Sequence, residues 1–292
     1  TSSNYEISCI DGNLEVSKKI IPIPVGCTDL TYNRNEQIGV ESGEGYTLTG
    51  NPVGFNAGEY SAIATLLDTE TTEWSDGTID PKMFDWVIAK ASLKITAEDK
   101  NVIVGNDTPQ FTVSYRGLMT GDSISSSIDG IVTYECEYDL LSPVGDYTIF
   151  VSGLTSSNYE IEFVNGTLSV SQKIIASPNI KQDLFFIGFE QSGIESGDGY
   201  TLTGDSSGLN AGTYSATATL NDSVNTVWSD GTTEPKTLNW TIAKAKLTAR
   251  YSGESIVFGT APSLVITVEG FVTGEGPETC LGYSAPVISS NL

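Results

Sequence analysis

The side chains in this sequence that could do chemistry are carboxylates, serines and cysteines, and none of the 292 residues is a histidine. Histidine is the usual general base, a common transition-metal ligand and the side chain that titrates near neutral pH. Without it a serine or cysteine nucleophile lacks its ordinary activating base, and no Gly-x-Ser-x-Gly elbow is present. Paired carboxylates such as Glu160 and Glu162 sit at alternating positions, which indicates a solvated strand face rather than a glycosidase pair. The sequence predicts no catalytic residues and a protein that is not an enzyme.

The carboxylates that most suggest a ligand are Asp76 and Asp230, each within a Trp-Ser-Asp-Gly sequence. Ca²⁺ takes several oxygen ligands at once. Acidic residues that could complete such a set are Glu41 and Glu44 in one case, and Glu195 and Asp198 in the other. Neither an EF-hand nor an RTX spacing is present, and Asp-Gly commonly forms a turn in which the Asp bonds its own backbone. We expect turns, no metal ligands and no cofactor, with Ca²⁺ as the alternative.

The charge balance narrows the range of partners. With 14 Lys and Arg against 37 Asp and Glu, the net charge is −23. Such a chain repels phosphate backbones, so nucleic acid is not an expected partner. The high content of Thr, Ser, Gly and Asp suits an extended all-β secreted protein.

Part of the sequence occurs twice. Val40–Ala91 returns as Ile194–Ala245, 154 residues later and without insertion or deletion, and Thr1–Ile7 returns unchanged as Thr155–Ile161. Self-similarity of this kind indicates a modular array. Because the first and last segments correspond to the back and the front of one module type, we expect the chain to be cut from a longer array.

Within the modules, apolar and polar residues alternate as in half-buried antiparallel strands. One face of a strand in the second copy carries Tyr214, Ala216, Ala218 and Leu220, and the closing strand points Leu238, Trp240 and Ile242 inward. The first-copy equivalents of the closing strand are Phe84, Trp86 and Ile88. Residues 1–18 predict a β-hairpin turning at Asp11-Gly12. Near the other end, Leu264, Ile266 and Val268 alternate in the same way.

The junctions between modules are short. Ile88–Ile95 and Val170–Ile175 pass from one module to the next without Gly, Pro or a polar run. Flexible joints are usually enriched in Gly, Ser or Pro. We therefore expect stiff junctions and an elongated rod.

A Gly-x-Tyr element precedes three of the alternating strands, at Gly58-Glu59-Tyr60, Gly145-Asp146-Tyr147 and Gly212-Thr213-Tyr214. Its recurrence in two module types favours a structural role. We expect the phenol to bond backbone near the start of the strand, as in the tyrosine corner of Ig sandwiches.

The four cysteines, Cys9, Cys27, Cys136 and Cys280, do not recur between copies. Cys9 and Cys136 fall at inward positions of alternating strands, where a thiol acts as a small hydrophobe. We expect buried free thiols. A Cys9–Cys27 disulfide is the alternative, which spacing alone does not decide.

Two sets of motifs carry a family resemblance. Tyr115-Arg116-Gly117-Leu118-Met119-Thr120-Gly121-Asp122, then Ser157-Asn158-Tyr159 and Asn165–Val170, resemble the MBG domains of bacterial surface proteins. Gly45–Gly50, Ala57–Tyr60, Trp74–Gly77 and Trp86–Ala91 resemble the Ig-like repeats that alternate with MBG domains in such proteins. The resemblance implies an adhesin-like protein, at the bacterial cell surface or secreted, and offers no catalytic residues.

With this resemblance the sequence predicts an all-β fold: tandem small Ig-like β-sandwich and MBG-like domains in an elongated rod. The predicted domains are a C-terminal MBG-like hairpin at 1–18, an Ig-like domain at 19–90, a complete MBG-like domain at 91–173, an Ig-like domain at 174–245, and the N-terminal part of an MBG-like domain at 246–292.

Three functions fit this organisation. The first is a non-catalytic stalk that spaces a distal domain from the cell, with neighbouring repeats as its partners. The second is a module that binds host glycan, mucin or other cell-surface proteins through exposed loops. Trp74 and Trp228 are its candidate ligand-binding residues because they lie beside turns. The third is a filament, self-assembled by strand exchange between residues 1–18 of one copy and 246–292 of another.

Overall fold

The computed structural model describes residues 1–253, 255–260 and 265–287, and its regular structure is almost entirely β. Strands account for 45% of the described residues and helix for 1%, which confirms the predicted all-β fold. In the described part of the chain no helix is long and apolar enough to cross a membrane.

The first repeat module, residues 19–90, is built around one four-stranded sheet. Its strands are β1 (Lys19–Ile21), β2 (Leu30–Thr31), β3 (Gln37–Ile38), β4 (Tyr46–Gly50), β5 (Val53–Gly54), β6 (Gly58–Leu66), β7 (Thr72–Trp74) and β8 (Lys82–Ala89). The sheet order is β2–β8–β6–β4, with β6 antiparallel to both neighbours and β2 parallel to β8. In addition, β1 pairs parallel with β7, and β3 pairs antiparallel with β5.

Strand alternation fills the core of this module as predicted. The inward residues Ala62, Ala64, Leu66, Trp86 and Ile88 are all 5% exposed or less. Trp86 stacks on Tyr60 with 4.5 Å between ring centroids, and its Nε1 donates to the Asn51 carbonyl at 2.9 Å. Gly39 lies against the same ring, where a Cβ would come within 2.0 Å of it. Any side chain at Gly39 would therefore displace the main aromatic anchor.

The middle module, residues 91–173, has two sheets. Its elements are β9 (Ala91–Ala97), β10 (Lys100–Ile103), β11 (Val113–Arg116), α1 (Ile124–Ser127), β12 (Asp129–Glu135), β13 (Gly145–Thr155), β14 (Tyr159–Val164) and β15 (Gly166–Ser171). In one sheet β9 is central, antiparallel to β11 and parallel to β14. The other sheet has the order β10–β15–β13–β12.

The second repeat module, residues 174–245, has the strand order of the first. Its strands are β16 (Lys173–Ile175), β17 (Leu184–Phe185), β18 (Gln191–Ser192), β19 (Tyr200–Gly204), β20 (Ser207–Gly208), β21 (Gly212–Leu220), β22 (Thr226–Trp228) and β23 (Lys236–Ala243). The main sheet runs β17–β23–β21–β19. Trp240 and Ile242 are buried as predicted.

Beyond it, β24 (Thr248–Ser252) pairs antiparallel with β25 (Val265–Glu269). Ile266 and Val268 are half-buried on one face of β25, in line with the predicted alternation. Leu264, the first residue of that predicted pattern, lies outside the described residues.

The predicted hairpin over residues 1–18 is wrong. The structure has no strand there, and Tyr5 and Leu14 are 78% and 89% exposed. In the middle module the matching residues form β14 and β15 because each joins a larger sheet. No described strand pairs with residues 1–18, and an isolated two-stranded hairpin is at best marginally stable in water.

The chain divides into two compact units. Unit 1 comprises Thr1–Lys100, Pro109–Tyr138 and Asp146–Leu168; unit 2 comprises Asn101–Thr108, Asp139–Gly145 and the residues from Ser169 onward. The junction of the first repeat module with β9, β11 and β14 therefore lies inside unit 1.

Candidate functional site: the inter-module joint

The described side chains that converge most closely lie in unit 1, at the junction of the first repeat module with the middle module. Asp122 follows β11, and its side chain is 8% exposed. One of its carboxylate oxygens accepts hydrogen bonds from the phenols of Tyr159, at 2.5 Å, and Tyr32, at 3.0 Å. The other lies 2.9 Å from Nε of Arg34. Two of these three donors come from the first repeat module, so Asp122 ties that module to the middle one.

The electrostatics of this cluster keep Asp122 ionised and both phenols neutral. Burial opposes ionisation of Asp122, but the hydrogen bonds from Tyr159 and Tyr32, with the charge of Arg34, outweigh it and hold the pKa of this carboxyl below its ordinary value. Burial, and then the hydrogen bond to Asp122, raise the pKa of the Tyr159 phenol to about 12. The same two causes raise the pKa of Tyr32. Such an arrangement stabilises a contact, and none of these shifts brings a pKa closer to neutral pH.

Around the carboxylate, a continuous hydrophobic core crosses the joint. Tyr32 and Tyr159 are 3% and 1% exposed and meet edge to face, with ring centroids 5.5 Å apart. The phenol oxygen of Tyr159 also accepts from the Met119 backbone N–H at 2.9 Å. The same core cluster contains Trp86 of the first module and Leu93 of the middle module. Aromatic pairs of this geometry add about 0.5–1.5 kcal/mol beyond the area they bury.

Next to Tyr159, Asn158 clamps backbone from both modules. Its Oδ1 accepts from the Ala57 N–H at 2.9 Å, and its Nδ2 donates to Oδ1 of Asn56 at 3.1 Å. Its carbonyl accepts from the Ala91 N–H at 3.0 Å. One asparagine therefore satisfies polar groups on both sides of the joint.

The connecting residue is held as well. Lys90 is the single residue between β8 and β9, and its Nζ donates to the Ser156 carbonyl at 2.7 Å. A one-residue connector with a bonded side chain agrees with the prediction of a short junction.

The junction that follows the middle module, inside unit 2, is equally short. Gln172 is the single residue between β15 and β16, and its side-chain amide donates to the Val224 carbonyl at 2.9 Å. Asn225 accepts from the Val144 N–H through Oδ1 at 3.0 Å and from the Lys173 N–H through its carbonyl at 3.0 Å. Again an asparagine bonds backbone of two modules.

The predicted ligand-binding residues Trp74 and Trp228 do not form a binding surface. Both are 0% exposed. Their Nε1 atoms donate to the carbonyls of Asp80 and Glu234 at 2.8 and 2.9 Å. A glycan stacks on an exposed ring face, and neither indole offers one. They lie beside turns as predicted, but the turn folds over the ring, so each is a second core anchor of its module.

The Trp-Ser-Asp-Gly carboxylates form turns, as expected. Asp76 accepts from the Thr78 N–H at 3.1 Å and pairs with Lys82 at 2.6 Å. Asp230 repeats these contacts with Thr232 and Lys236. The hydrogen bond from Lys82, followed by those from Thr78, lowers the pKa of Asp76 to about 2.

The alternative Ca²⁺ set is not assembled. Glu41 and Glu44 line an open cleft with Tyr46, and Asp76 is absent from that lining. Glu195 is paired with Lys181 at 2.8 Å. Within the described ranges, no group of three or more His, Cys, Asp or Glu residues is placed to hold a metal ion.

The Gly-x-Tyr prediction is confirmed at Tyr60 and Tyr214. The hydroxyls of Tyr60 and Tyr214 donate to the carbonyls of Asn56 and Asn210 at 2.7 and 2.6 Å, four residues before each tyrosine. The third, Tyr147, is half-buried and packs edge-on against Tyr138.

All four cysteines are free thiols, as predicted, but they are not buried. Cys27, Cys136 and Cys280 are half-buried, and Cys9 is exposed. Cys9 was expected to point inward from a hairpin that does not form, which explains this error.

A comparison with models of known protein families identifies one domain of this chain. Residues 93–169 match the family model described as MBG domain (YGX type). This range lies inside the predicted MBG-like domain at 91–173, and domains of this type are non-enzymatic and typical of extracellular proteins. No curated protein matches the chain.

Two solved structures resemble the chain weakly. Drosophila N-cadherin EC1-3, I is 12% identical, with 79% of this chain and 99% of that chain covered, at a TM-score of 0.21. Drosophila N-cadherin EC1-4 is 11% identical, with 87% and 84% covered, at a TM-score of 0.19. TM-scores this low do not establish a shared fold.

Proposed function

We propose that this chain is part of the non-catalytic stalk of a bacterial cell-surface or secreted adhesin-like protein, where it spaces a distal domain from the cell. The observation that carries this proposal is the joint of unit 1. A single hydrophobic core crosses it, Asp122 and Asn158 bond across it, and one residue connects the two modules. A spacer must hold each module in a fixed orientation relative to the next, and such a joint resists bending.

The match of residues 93–169 to an MBG domain supports the extracellular, adhesion-type part of the proposal. The proposed partners are the neighbouring modules of the same chain, and the role needs no cofactor. Burial of Trp74 and Trp228 removes the residues on which a glycan-binding role was based. A net charge of −23 supports solubility of an exposed stalk.

Small-angle X-ray scattering on the dilute chain tests the proposal. We expect a rod-like scattering profile. Inserting Gly-Gly-Ser after Lys90 should broaden the distribution of particle dimensions, because it separates β8 from β9. The same insertion after Gly77, in an exposed turn, should leave the profile unchanged. A compact envelope for the unaltered chain, or equal effects of the two insertions, would argue against a stiff stalk.

A further inference from the structure

Two strands, β4 and β19, have the same sequence and are paired on one side only. Each reads Tyr-Thr-Leu-Thr-Gly, at Tyr46–Gly50 and at Tyr200–Gly204. Each lies at the end of its four-stranded sheet, and among the strands that the structure describes it pairs only with β6 or β21, respectively. Because both repeat modules leave this strand at the edge, the free edge is a property of the module. An unpaired edge is a template for another strand.

The pairing register shows which backbone groups face the free side of β4. In an antiparallel pair, residues that exchange hydrogen bonds with the neighbouring strand alternate with residues that do not. Backbone hydrogen bonds join Gly45 to Leu67 and Asn51 to Ser61, so the odd-numbered residues of β4 bond to β6. The N–H and C=O of Leu48, at the centre of the strand, therefore point to the free edge.

Edge strands of the middle module are protected against pairing, in contrast to β4 and β19. Strand β12 is interrupted by a register shift between Gly130 and Thr133, and β14 presents the exposed carboxylates of Glu160 and Glu162. Bulges and charges are usual means by which proteins prevent edge-to-edge pairing. Strands β4 and β19 contain no charged residue and no proline, and their pairing with β6 and β21 has no register shift.

The shared sequence is self-complementary when two such edges meet antiparallel with their leucines opposite each other. Leu48 would then exchange two backbone hydrogen bonds with the leucine of the other strand. Tyr46 would lie opposite Gly50, and Thr47 opposite Thr49. Both threonines are exposed, and cross-strand threonine pairs stabilise a sheet.

The charges beside the edge do not oppose this pairing directly. In the same register Glu44, just before β4, would lie opposite Pro52 of the other copy. At β19 the neighbouring Asp198 would lie opposite Ser206, and Asp205 opposite Gly199. Like charges therefore do not face each other across the paired edges, and repulsion comes only from the net charge of −23.

We propose that this edge, Tyr46–Gly50 or Tyr200–Gly204, is a lateral docking surface for the same edge of a second copy of the chain. The two edges pair antiparallel, so that the four-stranded sheets of two copies join into one sheet of eight strands. Backbone hydrogen bonds supply the affinity, as in other cases of strand addition. Both copies use the same patch, which makes the interface isologous. The proposal does not rest on the stalk role.

Sedimentation equilibrium of the full chain over a range of concentrations tests the proposal. We expect the average mass to rise above that of one chain, and to rise more at high salt, which screens the net charge. The disrupting variant carries lysine at Thr47, Thr49, Thr201 and Thr203, which places like charges opposite each other on paired edges. Association should weaken at least about tenfold, although the added lysines reduce the net negative charge.

A charge-swapped variant separates pairing from net charge. With Thr47→Lys, Thr49→Glu, Thr201→Lys and Thr203→Glu, each lysine lies opposite a glutamate of the other copy, and association should return. The matched control adds four lysines at exposed positions of β8 and β23, which are not edge strands. It should not weaken association, and it carries Met83→Lys, Val87→Lys, Thr237→Lys and Thr241→Lys.

Disulfide trapping tests the register in chains whose four native cysteines are replaced by serine. One population carries Thr47→Cys and Thr201→Cys, and the other carries Thr49→Cys and Thr203→Cys. Residues directly opposite each other are within reach of a disulfide, whereas diagonal neighbours are farther apart. Mild oxidation of the mixture should therefore link a chain of one population to a chain of the other, and each population alone should stay unlinked.

A single-chain mass at every protein and salt concentration would overturn the proposal. Equal association of the four-lysine edge variant and the charge-swapped variant would do so as well, and so would an equal loss in the matched control. Linking within one population as efficient as linking between the two would overturn the register. The scattering test of the stalk uses dilute, single-chain material, so its outcome is separate from these results.

Discussion

The joint of unit 1 and the β24 edge of unit 2 are built from corresponding residues, yet one is closed and the other open. In unit 1 the Asn158-Tyr159 strand covers β9, and Leu93 and Ile95 are 0% exposed. In unit 2 no described strand covers β24, and all five of its residues are exposed. The comparison shows that β9 is buried where β14 and the rest of the middle module's core pack against it.

The two places also differ in charge. Asp122 has three donors, whereas at the second location Phe186 replaces Tyr32 and Gly188 replaces Arg34. Glu275, which corresponds to Asp122, therefore lacks counterparts of two of the three donors that hold Asp122.

The largest expected effect comes from removing the buried ring. Tyr159→Ala should destabilise unit 1 by about 3–5 kcal/mol, since it leaves a cavity and unpaired polar groups. Tyr5→Ala, measured at single-chain concentrations, should change stability by less than about 0.5 kcal/mol. Hydrogen exchange of peptides covering β9 during urea unfolding measures both. A comparable loss for Tyr5→Ala would mean that residues 1–18 already contribute to the folded unit.

Removing the carboxylate should have the next largest effect. Asp122→Ala leaves two phenols and a guanidinium without their acceptor, and we expect a loss of about 2–3 kcal/mol. Glu275→Ala should cost less than about 0.5 kcal/mol in the single chain. Urea unfolding of both variants checks the difference. Equal losses would show that the charge cluster adds nothing to the joint.

The Asn158 clamp should contribute less. Asn158→Ala removes the acceptor of the Ala57 N–H and should cost about 1–2 kcal/mol. Asn4→Ala is the matched control and should be neutral in the single chain. Hydrogen exchange at Ala57 provides a local readout, because loss of its acceptor should speed exchange there. Unchanged exchange at Ala57 in Asn158→Ala would contradict the clamp.

Much of the fold could be predicted from the sequence. A period of two placed Ala216, Ala218 and Trp240 correctly because strand alternation is local. The Tyr60 and Tyr214 turns were predictable because they repeat. The hairpin at residues 1–18 was not, since whether it forms depends on a partner strand distant in sequence. Burial of Trp74 was missed for a similar reason: proximity to a turn does not tell which way the turn folds.

The joint itself was not predicted. Asp122 and Asn158-Tyr159 belong to the motifs that resemble MBG domains. Their partners Tyr32 and Arg34 are not repeated in the second copy, which has Phe186 and Gly188 at these positions. Repetition therefore gave no signal for half of the contact. Tyr32 and Asp122 are 90 residues apart in the sequence, and only the folded structure brings the phenol oxygen of Tyr32 to 3.0 Å from a carboxylate oxygen of Asp122.

The smallest expected effect is on pH dependence, because titration weakens the joint without removing atoms. The pKa of Asp122 is lowered in the folded state. Its contribution is therefore complete above the ordinary Asp value of about 3.9 and is lost as pH falls through the lowered pKa. The pKa of Tyr159 is raised to about 12, so its contribution is complete below about pH 10 and is lost as pH rises toward 12.

The stability difference between the unaltered chain and Asp122→Asn should thus be flat from pH 5 to 9 and shrink in acid. The difference from Tyr159→Phe should shrink only in alkali. Urea midpoints across the pH range measure both, and Glu275→Gln should show neither trend in the single chain. If Asp122→Asn and Glu275→Gln gave the same acid profile, the pH dependence would belong to general acid unfolding of a chain with 37 carboxylate side chains rather than to the joint.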